Sequence, residues 1–484
     1  MMEVFPTGGM WMLLVLGILI FTTGLPVWAL LVGTASLFSL VGCLTGLLDA
    51  QVLSAISGRI LGLLENDLLQ ALPLYVFVGI LLQRLTVADT LFSSIARMFR
   101  WTGAGTSVAA MGVGLLVSPM NGSVASSSAM MARLVAPHLG RMNGVSAVAL
   151  ISVASTIGVA VPPSLVLILL GDAMMNAHTE ASNLPGYLLA GQRIINTHDV
   201  FHAALLPAAI VLVLWLLIAC WKGRALPTES TEKALTLRHW LLSAAVVCAI
   251  LLLLGSVFMG LMFAVEAAAT GGVVLVLATL ISGRLSRPQW HAVLADTLSL
   301  SGTLLALLVG ATTFSLVFRL WGTDRWIASM VLGSHLSPVL TAALVLLMVA
   351  LCAWVLDAFE MIFVIVPIVA PLLIVLLGDA QQTAALLLLV LQLSFLIPPM
   401  GYAVMMARSR SGLINCSTWH TLMALLPYIL VQCTITLAVF RNPQTVHQLD
   451  APPTAVSAPA SSDDLDQQMR EMSEQTNSTE TPAR

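Results

Sequence analysis

The sequence reads VPPS at residues 161–164 and IPPM at residues 397–400, and each double proline interrupts an apolar stretch of membrane-spanning length. Proline lacks the backbone N–H and its ring clashes with the preceding turn, so two in succession stop a helix. Lipid cannot satisfy the backbone groups that such a break frees, whereas an ion or a polar substrate can. The two stretches therefore predict two broken helices whose ends form a binding site within the membrane.

A second break precedes each double proline by the same distance. Asn121 to Pro162 and Asp357 to Pro398 are both separations of 41 residues. Interrupted segments at matching places in two halves are typical of secondary transporters built from inverted repeats. The spacing therefore predicts one re-entrant hairpin and one broken helix in each half.

Composition restricts the class of protein. Of the 484 residues, 58% are apolar and only 9% are charged, with a mean hydropathy of +0.98. Soluble domains carry about 25% charged residues, so we predict an all-α polytopic membrane protein. The sequence contains no basic run, no P-loop and no HExxH or GxSxG motif. We therefore expect a transporter powered by an ion gradient, neither an enzyme nor an ATP-driven pump.

The apolar pattern and the charges divide the chain into four parts. Lysine and arginine residues flank opposite ends of corresponding segments in the two halves, as inverted repeats require. From residue 442 onward the polar composition predicts disorder. We expect a first transmembrane repeat over 1–220 with a hairpin near 106–138, a linker over 221–240, a second repeat over 241–440 with a hairpin near 339–376, and a disordered polar tail over 441–484.

Polar residues cluster at the breaks. Asn121-Gly122 favours a turn, and the serines around it either bond to their own helix backbone or line a binding site. Asp357 and Glu360 are spaced to share one helix face, and Asp357 is equally compatible with a helix cap and with an ion contact. Glu266 either begins a helix at the membrane interface or points inward.

Five segments, taken in order, resemble the large permease subunit of tripartite ATP-independent periplasmic (TRAP) transporters. The resemblance covers residues 10 to 440. The stretch at 165–172 and the last two segments look most like the branch associated with 2-oxoacids, mannitol and chloroaromatic compounds. The segments are LPLYVFVG at 72–79, GVAVPPS at 158–164, EAAA at 266–269, LDAFE at 356–360 and QLSFLIPPMG at 392–401.

This resemblance implies an elevator-type ion transporter in the bacterial inner membrane. In such a protein a transport domain that holds both hairpins slides against a scaffold. The resemblance also implies sodium coupling, uptake of an organic acid, and two partners: a small four-helix membrane permease subunit and a periplasmic substrate-binding protein. No cofactor is expected besides the coupling sodium ions.

The resemblance also assigns candidate site residues by their positions. The family's Gly-Ser-Ser hairpin is here MNGS at 120–123, and its Thr-Pro-Thr-Glu is FAVE at 263–266, so specificity is expected to differ. Sodium is bound largely by carbonyl groups, which such side-chain changes need not remove. The expected sodium ligands are Asn121, Gly158, Val161 and Pro163 at one site, and Leu356, Asp357, Ser394, Ile397 and Pro399 at the other. The candidate substrate-binding residues are Ser123, Ser126, Thr156, Ser164 and Gly401.

Two other functions fit the same residues. A stand-alone ion-coupled symporter or exporter of organic anions would need neither partner, and activity of the chain alone in liposomes would identify it. A membrane scaffold that keeps the fold without transport would have lost sodium binding.

Overall fold

The structure is a computed structural model that describes most of the chain, with short gaps. Within the described residues the secondary structure is helical, and no β-strand occurs there. Residues 225–236 of the predicted linker and 450–484 of the predicted tail lie outside this part, as do Gly122, Pro162 and Pro163. The described residues are 7–48, 54–65, 67–85, 87–121, 123–135, 143–161, 164–184, 187, 195–224, 237–283, 285–413 and 416–449.

The helices are numbered in chain order. The first half contains α1 Thr7–Thr23, α2 Val27–Leu44, α3 Ala55–Leu64, α4 Asp67–Arg84, α5 Val87–Met98, α6 Gly105–Asn121, α7 Val124–Val135, α8 Gly144–Ala160, α9 Leu165–Ala181 and α10 Thr197–Gly223. The second half contains α11 Leu237–Phe258, α12 Ala264–Ser282, α13 Arg287–Leu320, α14 Thr323–Leu332, α15 Pro338–Cys352, α16 Ala358–Leu377, α17 Ala380–Leu396, α18 Tyr402–Ser411 and α19 Thr418–Arg441.

Many of these helices suit a membrane. Among the described residues, seven are long and apolar enough to cross one: α2, α10, α11, α12, α13, α16 and α19. Two further pairs bend at a short break, α4 with α5 by 65° and α8 with α9 by 44°. Large apolar side chains such as Leu277 and Ile281 on α12 are exposed, which is favourable in lipid and unfavourable in water. The prediction of an α-helical polytopic membrane protein is confirmed.

One group of helices is organised around α13, which is 34 residues long. It packs against α2 and α4, and α12 also packs against α4. Residues 297–318 of α13 carry no charged side chain, whereas Asp296 and Arg319 border this stretch. Asp296 forms an ion pair with Arg84 at the end of α4, with 2.5 Å between the carboxylate oxygen and the guanidinium nitrogen. These helices are called the α13 group below.

The second group contains the hairpins and the broken helices of both halves. Helix α6 ends at Asn121 and α7 begins at Val124, and a turn at 353–356 joins α15 to α16. Helix α9 of the first half packs against α16 of the second, and α18 of the second half packs against α7 of the first. Likewise α8 packs against α19, and α17 against α10. Helices α7, α8, α9 and α10 correspond to α16, α17, α18 and α19, so each of these contacts has an equivalent with the halves exchanged. The predicted fold of two related halves with hairpins and broken helices is confirmed.

The chain remains packed for several residues beyond α19. Residues 443–445 form a 3-10 turn, and Val446 is buried. The Nε2 atom of His447 lies 2.6 Å from a carboxylate oxygen of Asp379, which caps the start of α17. The side-chain amide of Gln382 donates to the carbonyl group of Val439, at 2.8 Å. The end of α19 is therefore attached to the start of α17.

Glu266 lies at the start of α12. Its Oε2 atom accepts a hydrogen bond from the backbone N–H of Phe263, at 2.9 Å, and its side chain is exposed. The first N–H groups of a helix have no partner within the helix, so a side-chain acceptor stabilises them. Of the two interpretations of Glu266, the structure supports the helix start.

We expect Glu266→Ala to lower the free energy of unfolding by about 1 kcal/mol, the usual value for a lost cap, and to leave uptake unchanged. Thermal unfolding in detergent and uptake in proteoliposomes measure the two effects. Glu266→Gln keeps an oxygen acceptor and is the matched control, which should unfold close to the wild-type temperature. Loss of uptake without loss of stability would contradict a purely capping role.

Candidate functional site

Helices α8 and α17 end at corresponding points in the two halves. After α8 the backbone of Val161 is extended, with φ −90° and ψ 115°. After α17 the backbone of Ile397 is extended in the same way, with φ −85° and ψ 107°. The chain resumes as α9 at Leu165 and as α18 at Tyr402. Both helices are therefore broken next to the double prolines, as the sequence predicted.

Each break leaves backbone carbonyl groups without their usual donors. In an α-helix the carbonyl of one residue accepts the N–H of the residue four positions later. For Gly158 and Val159, and again for Ser394 and Phe395, the residue four positions later is a proline, which has no N–H. Ile397 N–H donates instead to the carbonyl of Ser394, at 3.3 Å. Each break thus presents carbonyl oxygens, which are ligands suited to sodium.

The tip of the first hairpin packs against the break after α8. A Cβ atom added to Gly158 would lie 2.4 Å from the carbonyl carbon of Ser118 and 2.7 Å from the nitrogen of Pro119. One turn earlier on both α6 and α8, a Cβ atom on Gly114 would lie 2.6 Å from the carbonyl oxygen of Ala154. Glycine is the residue that permits such a close approach of two backbones. These two glycines therefore fix the distance between α6 and α8.

The tip of the second hairpin contains a capped helix start. Asp357 precedes α16, and its backbone N–H donates to Oε2 of Glu360, at 3.0 Å. The Oδ1 atom of Asp357 is buried and has no hydrogen-bond partner among the described residues. Leu356, just before it, is buried. Asp357 thus occupies the N-cap position of α16, where Glu360 accepts its backbone N–H, and its Oδ1 is a carboxylate oxygen that an ion could use.

A buried amide network connects the two halves near these breaks. The side-chain amide of Gln392 on α17 donates to the carbonyl of Thr156 on α8, at 3.3 Å. The amide of Gln432 on α19 donates to Oε1 of Gln392, at 3.0 Å, and to the carbonyl of Leu389, at 3.1 Å. Both glutamine side chains are almost fully buried. The network therefore holds the end of α8 against α17.

Three predicted site residues bond locally through their hydroxyl groups. Thr156 donates to the carbonyl of Val153 at 3.0 Å, and Ser394 donates to the carbonyl of Val390 at 2.8 Å. Ser164 caps α9, because its Oγ accepts the N–H of Leu167 at 3.2 Å. Each hydroxyl keeps a further acceptor position. All three side chains are buried at or beside a break.

The other predicted residues differ in their surroundings. The carbonyl of Ser123 accepts the first helical bond of α7, from Ser127 at 3.0 Å, so Ser123 lies at the hairpin tip. Ser126 faces away from the break, since its Oγ accepts the side-chain amide of Gln83 on α4, at 2.7 Å. A Cβ atom on Gly401 would lie 2.7 Å from the carbonyl oxygens of Phe395 and Ile397. The structure thus separates Ser126 from the residues gathered at the breaks.

Three predicted sodium ligands complete the comparison. Asn121 is the last residue of α6, and its side chain lies outside the described part of the structure. Pro163 lies outside it altogether, whereas Pro399 is exposed at the second break. The sodium and substrate assignments stay predictions.

Sequence reasoning missed two polar residues that the structure places at contacts between helices. Gln432 lies alone in the apolar stretch of α19, and an amide in such a stretch indicates a buried partner. Gln83 precedes Arg84 at the end of α4, where the sequence alone suggests an exposed helix end. Its backbone carbonyl also accepts a guanidinium N–H of Arg133 on α7, at 2.8 Å. Gln83 and Arg133 therefore join the first hairpin to the α13 group.

The chain is similar to known transport proteins over most of its length. The family described as "Tripartite ATP-independent periplasmic transporter, DctM component" matches residues 12–445. The sialic acid TRAP transporter large permease protein SiaM of Vibrio cholerae is 24% identical over 426 residues, which cover 86% of this chain and 92% of SiaM.

Two solved structures share the fold at low sequence identity. The Alcanivorax borkumensis YdaH transporter has a TM-score of 0.57 at 16% identity, covering 82% of this chain and 89% of YdaH. Neisseria gonorrhoeae MtrF, which its structure report places among antimetabolite efflux pumps, has a TM-score of 0.50 at 15% identity, covering 81% and 85%. These likenesses concern the fold alone.

The family match and the membrane fold agree with the resemblance seen in the sequence. Members of this family are transporters, and the family implies a small permease subunit and a periplasmic binding protein as partners. The chain belongs to the DctM family, and it is the large, multi-pass inner-membrane permease subunit of a tripartite ATP-independent periplasmic transporter.

Proposed function

We propose that the chain imports an organic acid, a 2-oxoacid or another small carboxylate, coupled to a sodium gradient by an elevator movement. The observation that carries the proposal is the pair of matching breaks. In both halves, the double proline removes the usual N–H donors of two carbonyl groups, and in the second half Ser394 accepts the N–H of Ile397 instead. In the first half the end of α6 packs against the last turn of α8, because Gly158 lies against the Ser118–Pro119 peptide.

Two helix N-termini support a carboxylate as the substrate. Helix α9 begins after its cap residue Ser164, and α16 begins after Asp357. Both starts lie in a buried part of the protein. A helix N-terminus carries partial positive charge and unpaired N–H groups, so it favours an anion. Ser164 and Glu360 each satisfy one backbone donor at these starts, which leaves others for a ligand.

The grouping of the helices supports an elevator movement. Both hairpins and both broken helices pack among themselves, together with α10 and α19. Polar bonds such as Gln83 to Ser126 join this set to the α13 group, and such bonds can exchange with water as one group moves past the other. The branch that the sequence resembles favours a 2-oxoacid.

The test is uptake by the whole system. We expect proteoliposomes with this chain, its small subunit and its binding protein to accumulate one member of a panel of labelled 2-oxoacids. Uptake should require an inward sodium gradient and should stop when a sodium ionophore collapses it. Ser394→Leu should abolish uptake by obstructing the second break, while Ser299→Leu, an exposed serine on α13, should not.

The outcomes separate the three functions. Uptake by this chain without either partner would indicate a stand-alone symporter and contradict the proposal. Absence of uptake together with absence of sodium-dependent thermal stabilisation would indicate a scaffold that no longer transports.

A further inference from the structure

An open chamber lies between the α13 group and the helices of the second group. Its volume is about 480 Å³, within the range of about 300–1,000 Å³ that is usual for small-molecule sites. One wall is formed by α3 and α13, and the other by α9 and α16. Any movement of one group past the other would change the shape of this chamber.

Two guanidinium groups, those of Arg59 and Arg319, and two carboxylates, those of Asp172 and Glu180, line it. Arg319 on α13 forms an ion pair with Glu180 on α9, across the chamber. Arg59 on α3 lies close enough to both for electrostatic interaction, yet it forms no ion pair within 4 Å among the described residues. Arg319 is therefore compensated by Glu180, whereas the exposed side chain of Arg59 has no ion-pair partner among the described residues.

Two carboxylates besides that of Glu180 are candidates for pairing with Arg59, one in the chamber wall and one outside it. Asp172 lines the chamber, but it has an interaction partner of its own. Asp324 on α14 interacts with Glu180 electrostatically and does not line the chamber. Neither of them is in ion-pair contact with Arg59 among the described residues, so the charge of Arg59 stays available to a ligand.

Neutral groups in the walls suit the rest of a small organic acid. Thr312 and Ser315 lie seven and four residues before Arg319, on the same face of α13, and both line the chamber. Ile362 and Phe363 on α16 provide apolar surface opposite. Cationic, hydroxyl and apolar groups that converge on one cavity are the usual composition of a ligand site.

The chamber is also close to the proposed transport site. Ile362 follows the cap residue Asp357 by five residues on α16, which is about 8 Å along a helix. Asp172 follows the cap residue Ser164 by eight residues on α9, which is about 12 Å. A ligand in the chamber is therefore within two or three helical turns of both helix N-termini.

We propose that this chamber is an anion-binding site that receives the carboxylate of the transported acid. Arg59 is its cationic ligand, and the ion pair of Arg319 with Glu180 lies at its edge. The identity of the acid rests on the proposed function, whereas the preference for anions does not. A carboxylate accepts the paired N–H groups of a guanidinium, and this geometry favours Arg59 over a lysine-like point charge.

The test is thiol labelling of Ser315→Cys in the full chain, in lipid nanodiscs and in a background without the native cysteines. The probes are two methanethiosulfonates of similar size, one with a sulfonate group and one with a trimethylammonium group. We expect the sulfonate reagent to react faster. Arg59→Gln should lower the ratio of the sulfonate rate to the trimethylammonium rate on the order of tenfold. Removing the positive charge slows the sulfonate reagent and speeds the trimethylammonium reagent.

Matched variants separate charge from packing. Arg59→Lys should keep most of the preference, and Glu180→Gln should increase it. Arg287→Gln removes an exposed arginine at the far end of α13 and should leave it unchanged. An unchanged ratio in Arg59→Gln, or no labelling of Ser315→Cys by either reagent, would overturn the proposal. Because labelling needs no transport, this result is independent of the uptake assay.

Discussion

Replacing Gly158 with alanine is expected to reduce sodium-driven uptake by about tenfold or more, since displacements of about 1 Å at a reacting centre can lower a rate by about a hundredfold. The new methyl group would lie 2.4 Å from the carbonyl carbon of Ser118 and 2.5 Å from its oxygen. Both atoms belong to the backbone, so α6 and α8 must move apart. That displacement would separate the end of α6 from the break after α8. Uptake in proteoliposomes and the unfolding temperature in detergent measure the effect.

Gly302→Ala is the matched control. Gly302 is also a helical glycine, on α13, and an added Cβ atom would have no neighbour within 4 Å. Alanine favours a helix over glycine by about 0.5–1 kcal/mol, so this variant should be as stable as the wild type or slightly more stable. Wild-type uptake by Gly158→Ala would contradict the close packing of the hairpin tip against α8.

Gln392→Leu is expected to produce the second large effect. It removes the donor to the carbonyl of Thr156 and the acceptor for one of the two amide N–H groups of Gln432, whose other N–H keeps the carbonyl of Leu389; a buried N–H left unpaired costs about 1–3 kcal/mol. We expect the free energy of unfolding to fall by about 3 kcal/mol, and uptake to fall with it because the end of α8 loses its attachment to α17. Chemical unfolding and uptake provide the two measurements.

The double variant Gln392→Leu with Gln432→Leu tests whether the two amides act together. When both partners of a buried hydrogen bond are replaced, no donor or acceptor is left unpaired, so the free energy of unfolding falls by less than the loss of each partner alone would suggest. We therefore expect the double variant to be less destabilised than the sum of the single variants. Simple additivity would show that the two glutamines contribute independently.

The breaks could be predicted from the sequence because their cause is local. A double proline stops α8 and α17 wherever the surrounding chain goes, and an apolar stretch of sufficient length needs lipid in any tertiary arrangement. For Asp357 the sequence left a helix cap and an ion contact equally open, and the bond from its backbone N–H to Glu360, three positions later, follows a local pattern of helix starts.

Contacts between distant parts of the chain could not be predicted in this way. Ser126 belongs to the same serine-rich segment as Ser123, but it bonds to Gln83, 43 residues away. Gln392 reaches a carbonyl 236 residues away in the chain. Which face of a helix meets which neighbour depends on packing that no local pattern encodes. The sequence indicated Gly158 as a sodium ligand, but it could not show that the absence of a side chain there lets the backbone of Ser118 approach.

The length of α13 has a consequence for the lipid around the protein. Its uncharged stretch of residues 297–318 is about 33 Å long at 1.5 Å per residue, close to the hydrocarbon thickness of about 30 Å. The ten residues from Arg287 to Asp296 therefore project about 15 Å beyond that layer, and the pair of Asp296 with Arg84 marks its edge. Acyl chains much longer than this would draw that ion pair into hydrocarbon, whereas shorter ones would expose apolar side chains to water. Bilayer thickness thus sets the depth at which α13 is held, and with it the plane of the elevator movement that we propose.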